Sequence, residues 1–199
     1  MRRQLLLSTV VLLVALIAWS AMAPHLESGP NNISPEAAAA NYRNLYETFA
    51  APNRIDPLLV EALVRWESSG VWNQDHRDGE KGLMAISRGT WNWITRDVLH
   101  QDWDFDQDAY DPDKNIQVGV AAMVRWRVWL ARYRDRWKAD EETMIIATYN
   151  AGPGNMLKAD FDPDQLRSYP KRQHIERVVK LYHLLKNTLR PVRIPRGVE

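Results

Sequence analysis

The sequence predicts an all-α domain behind an N-terminal apolar segment. Three observations carry that reading. Proline follows a capping residue at Ser34-Pro35, Asp56-Pro57 and Asp111-Pro112, which is a helix-start signature. Apolar residues then recur every three or four positions, the period of a helix with one buried face. No stretch shows the strict alternation of a half-buried strand. At 199 residues the chain suits one domain plus an appendage.

The elements follow in order. Met1-Arg2-Arg3 is a short basic start, Leu5 to Ala18 is apolar, and Ala21-Met22-Ala23 resembles a cleavage site; together they read as an export signal. Pro24 would follow the scissile bond, where proline is unfavourable. The 19 residues from Leu5 to Ala23 could instead span a bilayer with Arg2 and Arg3 inside. Residues 1–23 are therefore a signal peptide or a signal anchor. Either places the rest in the cell envelope, outside the cytoplasm. Residues 24–33 read as a linker, and 34–199 as the domain.

Within the domain, one helix is expected from Ser34-Pro35 to about Phe49. A second starts at Asp56-Pro57, carries Leu59, Leu63 and Trp66 on one face, and ends at Ser69-Gly70. A loop runs from Val71 to Lys81, then a helix covers Gly89 to Leu99. The longest helix opens at Asp111-Pro112, shows the stripe Ile116, Val120, Met123, Leu130 and Tyr133, and runs to about Arg136. Asp140 caps another, with Glu141 and Glu142 suiting the helix dipole, and Gly152-Pro153 stops it. A final helix spans about Lys171 to Leu189.

Composition narrows the chemistry. Formal net charge is +1, and no cysteine is present. Near-neutrality argues against bulk binding to nucleic acid. The missing thiols exclude disulfides, cysteine-ligated zinc and a lipidated N-terminal cysteine. Nine Trp and seven Tyr stand against three Phe. Rings with a polar edge are favoured where sugars stack, although each can also serve as core bulk. The basic and aromatic run from Arg125-Trp126-Arg127 to Lys138 reads as core aromatics behind a solvated arginine face. The aspartates at 102, 104, 106, 108, 111 and 113 lack the Gly and terminal Glu of an EF-hand, so they read as a solvated loop. No metal or cofactor is expected.

Glu67 stands out. It sits in the last turn of an apolar helix, with Leu63 and Val64 one turn back and a Gly break ahead. A carboxyl held against apolar groups at the negative end of a helix is a candidate general acid. A solvated helix-end Glu would look the same. Two more segments add weight: Gly82-Leu83-Met84 closes the following loop, and Tyr149-Asn150 end a helix among small residues.

These segments resemble the lytic transglycosylases of the soluble, goose-lysozyme-like type. Glu67-Ser68 looks like the family's Glu-Ser motif, and Gly82-Leu83-Met84 like its Gly-Leu-Met-Gln. Asp111-Pro112, Asn115-Ile116 and Gly119 look like its Asp-Pro…Asn-Ile…Gly segment. Ala147 to Gly154 looks like its Ala-x-Tyr-Asn-Ala-Gly-Pro-Gly. Each motif alone is weak, but four in order are specific. The resemblance covers about residues 52–188.

It implies a lysozyme-like helical fold and a cleft for peptidoglycan glycan strands. Glu67 would be the one catalytic carboxyl, protonating the glycosidic oxygen and then deprotonating the muramic C6 hydroxyl. The product would carry a 1,6-anhydro end. Ser68, Gly82, Met84, Tyr149 and Asn150 would line the site. The sequence departs from the pattern at Ala85, where the family has Gln. His76 and His174 fall where a Ser and a Tyr normally support the catalytic Glu, and both are candidate replacements. Alternatives are a lysozyme-type hydrolase, with Asp75 or Asp78 activating water, and a glycan-binding module without catalysis. An uncleaved N-terminal segment would add membrane association, and a single-domain enzyme suits wall turnover or clearing a path for envelope machinery.

Overall fold

A computed structural model describes residues 34–166 and 171–189. The expected export segment and linker, residues 1–33, lie outside the described residues. Among those described there is no strand, only isolated bridges pairing Asp75 with Lys81 and Lys81 with Ile86. No described helix is long and apolar enough to cross a membrane.

Short helices α1 (Pro35–Ala40) and α2 (Arg43–Ala50) replace the single expected first helix. The break at Asn41-Tyr42 turns Tyr42 inward beside Tyr46, and both rings are buried. Helix α3 (Pro57–Glu67) starts where Asp56 accepts from the Leu58 N–H and ends with Ser68 as its cap. It buries Leu59, Val60, Ala62, Leu63 and Val64. Helix α4 (Arg88–Trp93), capped by Ser87, continues as a π-turn over Ile94–Leu99.

Helix α5 (Phe105–Asp108) lies inside the run expected to be a solvated acidic loop. Four of the six aspartates there are caps or ion-pair partners. Asp104 caps α5 and Asp111 caps α6 (Pro112–Leu130). Asp106 pairs with Lys81 and Arg88, and Asp108 with Lys114. Helix α6 ends short of the expected Arg136. The Trp137 indole donates to the Leu130 carbonyl, and a 3₁₀ stretch over Ala131–Arg136 follows.

Helix α7 (Glu141–Ala151) is capped by Asp140 as expected. Gly152 then breaks the backbone, and Pro153 restarts it as an unforeseen α8 (Pro153–Lys158). Helix α9 (Lys171–Leu189) has the expected bounds. The expected solvated arginine face is partly tied down: Arg127 donates to the Asn53 and Arg54 carbonyls, and Arg136 pairs with Asp160.

Helix α3 is the hub. It packs against α1, α2 and α9, while α7 bridges α6 and α9. The C-terminal end of α3 thus meets α9 on one side and the loop to Gly82 on the other.

Candidate active site

Motif residues around Glu67 are held by backbone demands that the sequence encodes locally. Gly82 has φ of +76°, and a Cβ there would lie 2.3 Å from Asn115 Nδ2 and 2.4 Å from the Ala109 carbonyl. Asn115, fully buried on α6, ties this turn together. Its amide nitrogen donates to the Lys81 and Ala109 carbonyls, and its oxygen accepts from the Met84 N–H at 2.9 Å. Gly119, one turn further along α6, leaves room for Met84: a Cβ there would sit 2.3 Å from the Met84 sulfur. The Asn-Ile…Gly segment is therefore the seat of the Gly-Leu-Met turn.

Ser68 makes a second tie. Its hydroxyl donates to the Leu83 carbonyl at 2.9 Å, which fixes the end of α3 against the same turn. Tyr149 on α7 makes a third, donating to the Met84 carbonyl at 2.9 Å. Burial, with the charges of Glu67 and Glu80 behind it, pushes the Tyr149 hydroxyl well above its usual range, so it stays a donor. Ser68, Gly82, Met84 and Tyr149 are thus brought together next to Glu67. The Met84 side chain is fully buried and the Ser68 and Tyr149 hydroxyls engage backbone, so these residues form the floor of the site. Ala85, at the position of the missing Gln, adopts a left-handed backbone and is buried.

The Glu67 side chain is 13 % exposed. His174 on α9 places Nε2 2.9 Å from Glu67 Oε1, close but off the line of a full hydrogen bond. Its other nitrogen, Nδ1, accepts from the Trp66 indole at 2.8 Å. His76 lies in the loop instead, with Nε2 3.0 Å from the Gly82 carbonyl. Asn150 Oδ1 is buried and has no hydrogen-bond partner among the described residues. Asp75 accepts from the Tyr110 hydroxyl.

Sequence reasoning missed Glu80. Its backbone carbonyl accepts from the His76 N–H across the loop. Burial raises its carboxyl above the usual value, and the charge of Glu67 raises it further, against His76 and His174. Two carboxyls thus share one neighbourhood. The only sequence signal was an acidic residue just before the Gly-Leu-Met turn. Trp66 was read as core, and its N–H partner lies 108 residues away. Among the described residues no cluster could hold a metal ion. Two cavities of about 430 and 460 Å³ lie between α7 and α9 and beside the start of α3, away from Glu67.

A helical fold with no strand among the described residues matches the lysozyme-like SLT fold. The chain belongs to the transglycosylase SLT domain family, whose pattern matches residues 44–167. Solved structures agree on the fold. An inactive mutant of the lytic transglycosylase Slt from Pseudomonas aeruginosa aligns with a TM-score of 0.63 at 20 % identity, covering 74 % of this chain and 24 % of that one. The 70 kDa soluble lytic transglycosylase from Escherichia coli gives 0.62 at 18 % identity, covering 73 % and 24 %. A complex of the 70-kDa soluble lytic transglycosylase with bulgecin A gives 0.63 at 17 %, covering 80 % and 26 %. This chain spans about a quarter of the length of each.

Proposed function

We propose that the chain is a peptidoglycan lytic transglycosylase of the cell envelope, acting in the periplasm. It cleaves the β-1,4 bond between N-acetylmuramic acid and N-acetylglucosamine and leaves a 1,6-anhydromuramic end. Glu67 gives its proton to the glycosidic oxygen as the C1–O4 bond breaks. The carboxylate then takes the C6 hydroxyl proton as O6 bonds to C1, so Glu67 returns to its starting state with no net water consumed. One group serves as acid and then base.

The observation that carries this reading is the placement of Glu67. It is largely buried at the end of α3, next to the Ser68 hydroxyl that ties this end to the Gly-Leu-Met turn, and its close partner is the His174 imidazole. Family membership supports it. Asn150 Oδ1 is suited to accept a hydroxyl or acetamido N–H of the glycan. His76 acts through the loop, by holding the Gly82 carbonyl.

A second reading is favoured by Glu80. A further carboxyl coupled to Glu67 could activate water, giving hydrolysis and a reducing end. Glu80 fits that role better than Asp75, which is engaged by Tyr110.

Mass spectrometry of muropeptides released from purified sacculi tests both. The wild type should release 1,6-anhydro products, and Glu67→Gln should lower release by about 10²–10⁴-fold. Reducing-end products dependent on Glu67 would favour the hydrolase. Release unaffected by Glu67→Gln would remove Glu67 from the chemistry.

A further inference from the structure

Trp66 and Glu67 are adjacent in sequence, and both reach the same residue on α9. The Trp66 indole N–H donates to His174 Nδ1 at 2.8 Å, while His174 Nε2 lies 2.9 Å from Glu67 Oε1. The two rings meet edge-on, with centroids 5.5 Å apart and planes at 81°. Arg177, on the same helix as His174, lies 5.1 Å over the indole ring.

The chemistry of the donors decides which nitrogen carries the proton. Indole can only donate. Nδ1 must therefore present its lone pair, and the single proton of a neutral imidazole sits on Nε2. That is the nitrogen facing Glu67. The opposite tautomer would aim a lone pair at the carboxylate formed midway through the reaction. A doubly protonated ring would have to break the indole bond. His174 is faced by Glu67 and Trp66 from α3. Glu80, in the loop, lies in the same neighbourhood. Tyr149 on α7 adjoins the same carboxyls.

We propose that Trp66 and His174 form a positioning dyad for Glu67. The indole N–H fixes His174 in its Nε2–H tautomer, and a small turn of the ring brings that N–H onto Glu67 Oε1. The carboxyl is then held in one orientation between giving its proton and retrieving one. Trp66 is a positioning residue that acts through His174. The inference rests on the proposed reaction only for its activity readout.

The test uses the full-length protein. Nitrogen-15 spectra of its imidazoles at neutral pH, with the His174 signals assigned by their loss in His174→Gln, should show the Nε2–H tautomer. Trp66→Phe keeps a ring but removes the donor, so His174 should become a tautomer mixture. In muropeptide release the same change should lower kcat by about tenfold and move KM by less than about twofold. His174→Gln retains an amide donor without tautomers. In that background, adding Trp66→Phe should change kcat by less than about twofold.

A wild-type His174 protonated on Nδ1 would overturn the proposal, whether or not Trp66→Phe folds. So would an equal loss from Trp66→Phe in both backgrounds, because Trp66 would then act by packing alone. A wild type that releases no anhydro ends sinks the proposed reaction, while the spectrum still decides the dyad.

Discussion

Glu61 and Glu67 leave the same helix six residues apart, into surroundings of opposite kind. The Glu61 side chain is 1 % exposed and is gripped by Arg43 and Arg65, each through two hydrogen bonds. Burial pushes its carboxyl up, but the two guanidiniums outweigh that and hold it below the usual range. The Glu67 side chain is 13 % exposed, its close partner is an imidazole, and its charge is felt by Glu80 and Tyr149. Burial alone does not make a carboxyl reactive. Permanent cations hold Glu61 as a carboxylate, whereas the close partner of Glu67 is the His174 imidazole.

The sharpest way to break this contrast is to neutralise each carboxyl in turn. Glu61→Gln strands Arg65, whose side chain is only 12 % exposed, and should destabilise the fold by ~3 kcal/mol. Urea denaturation measures that loss, and activity per folded molecule should persist. Glu67→Gln should do the reverse, lowering activity by about 10²–10⁴-fold at nearly unchanged stability. The pH dependence follows from the direction of the Glu61 shift. Its folded value lies below the usual 4.5, so its contribution is present above that pH and is lost as pH falls through the folded value. Wild-type stability should therefore drop more steeply below about pH 4.5 than that of Glu61→Gln. Equal acid sensitivity would show that the arginines do not hold this carboxylate.

A smaller effect sharpens the comparison from the floor of the site. Gly119→Ala would put a methyl 2.3 Å from the Met84 sulfur. Such overpacking should cost ~1–3 kcal/mol. It would also shift the Met84 carbonyl that accepts from Tyr149. At matched loss of stability, Gly119→Ala should lower muropeptide release more than Glu61→Gln does. Equal retention of activity in both would mean that the floor does not position Glu67.

Much of this arrangement was legible in the sequence because it is local. Asp56, Asp111 and Asp140 cap helices through N–H groups two or three residues away, and such contacts leave a signature in any short window. The Gly-Leu-Met turn and its Asn115 seat were legible as motifs. Other features were set by distant contacts. The Trp137 indole ends α6 at Leu130, and Gly152 with Pro153 restarts a helix where only a stop was expected. The aspartates around α5 looked solvated because their partners, Lys81 and Arg88, lie in another loop and helix. Trp66 does pack against the core as expected, but its indole bond to His174 could not be read because the acceptor belongs to α9. Glu80 carried no local pattern, since its shift comes from burial in the folded loop and then from the charge of Glu67.

Glu80 also gives the smallest and most diagnostic prediction. Its carboxyl is raised by burial first and by Glu67 second. A carboxyl with a raised folded value binds its proton more tightly in the folded state. Stability therefore falls as pH climbs from the usual 4.5 through the raised value, and stays lower above it. Glu80→Gln removes that penalty, so its Tm should exceed wild type by about 1–3 °C at pH 7 and match it near pH 4. Thermal unfolding at the two pH values checks this. In a Glu67→Gln background the gain at pH 7 should shrink, because the second cause of the shift has gone. A lower Tm for Glu80→Gln at pH 7 would mean that the loop satisfies this carboxylate as fully as the arginines satisfy Glu61. The contrast would then set Glu67 apart from both Glu61 and Glu80, rather than from Glu61 alone.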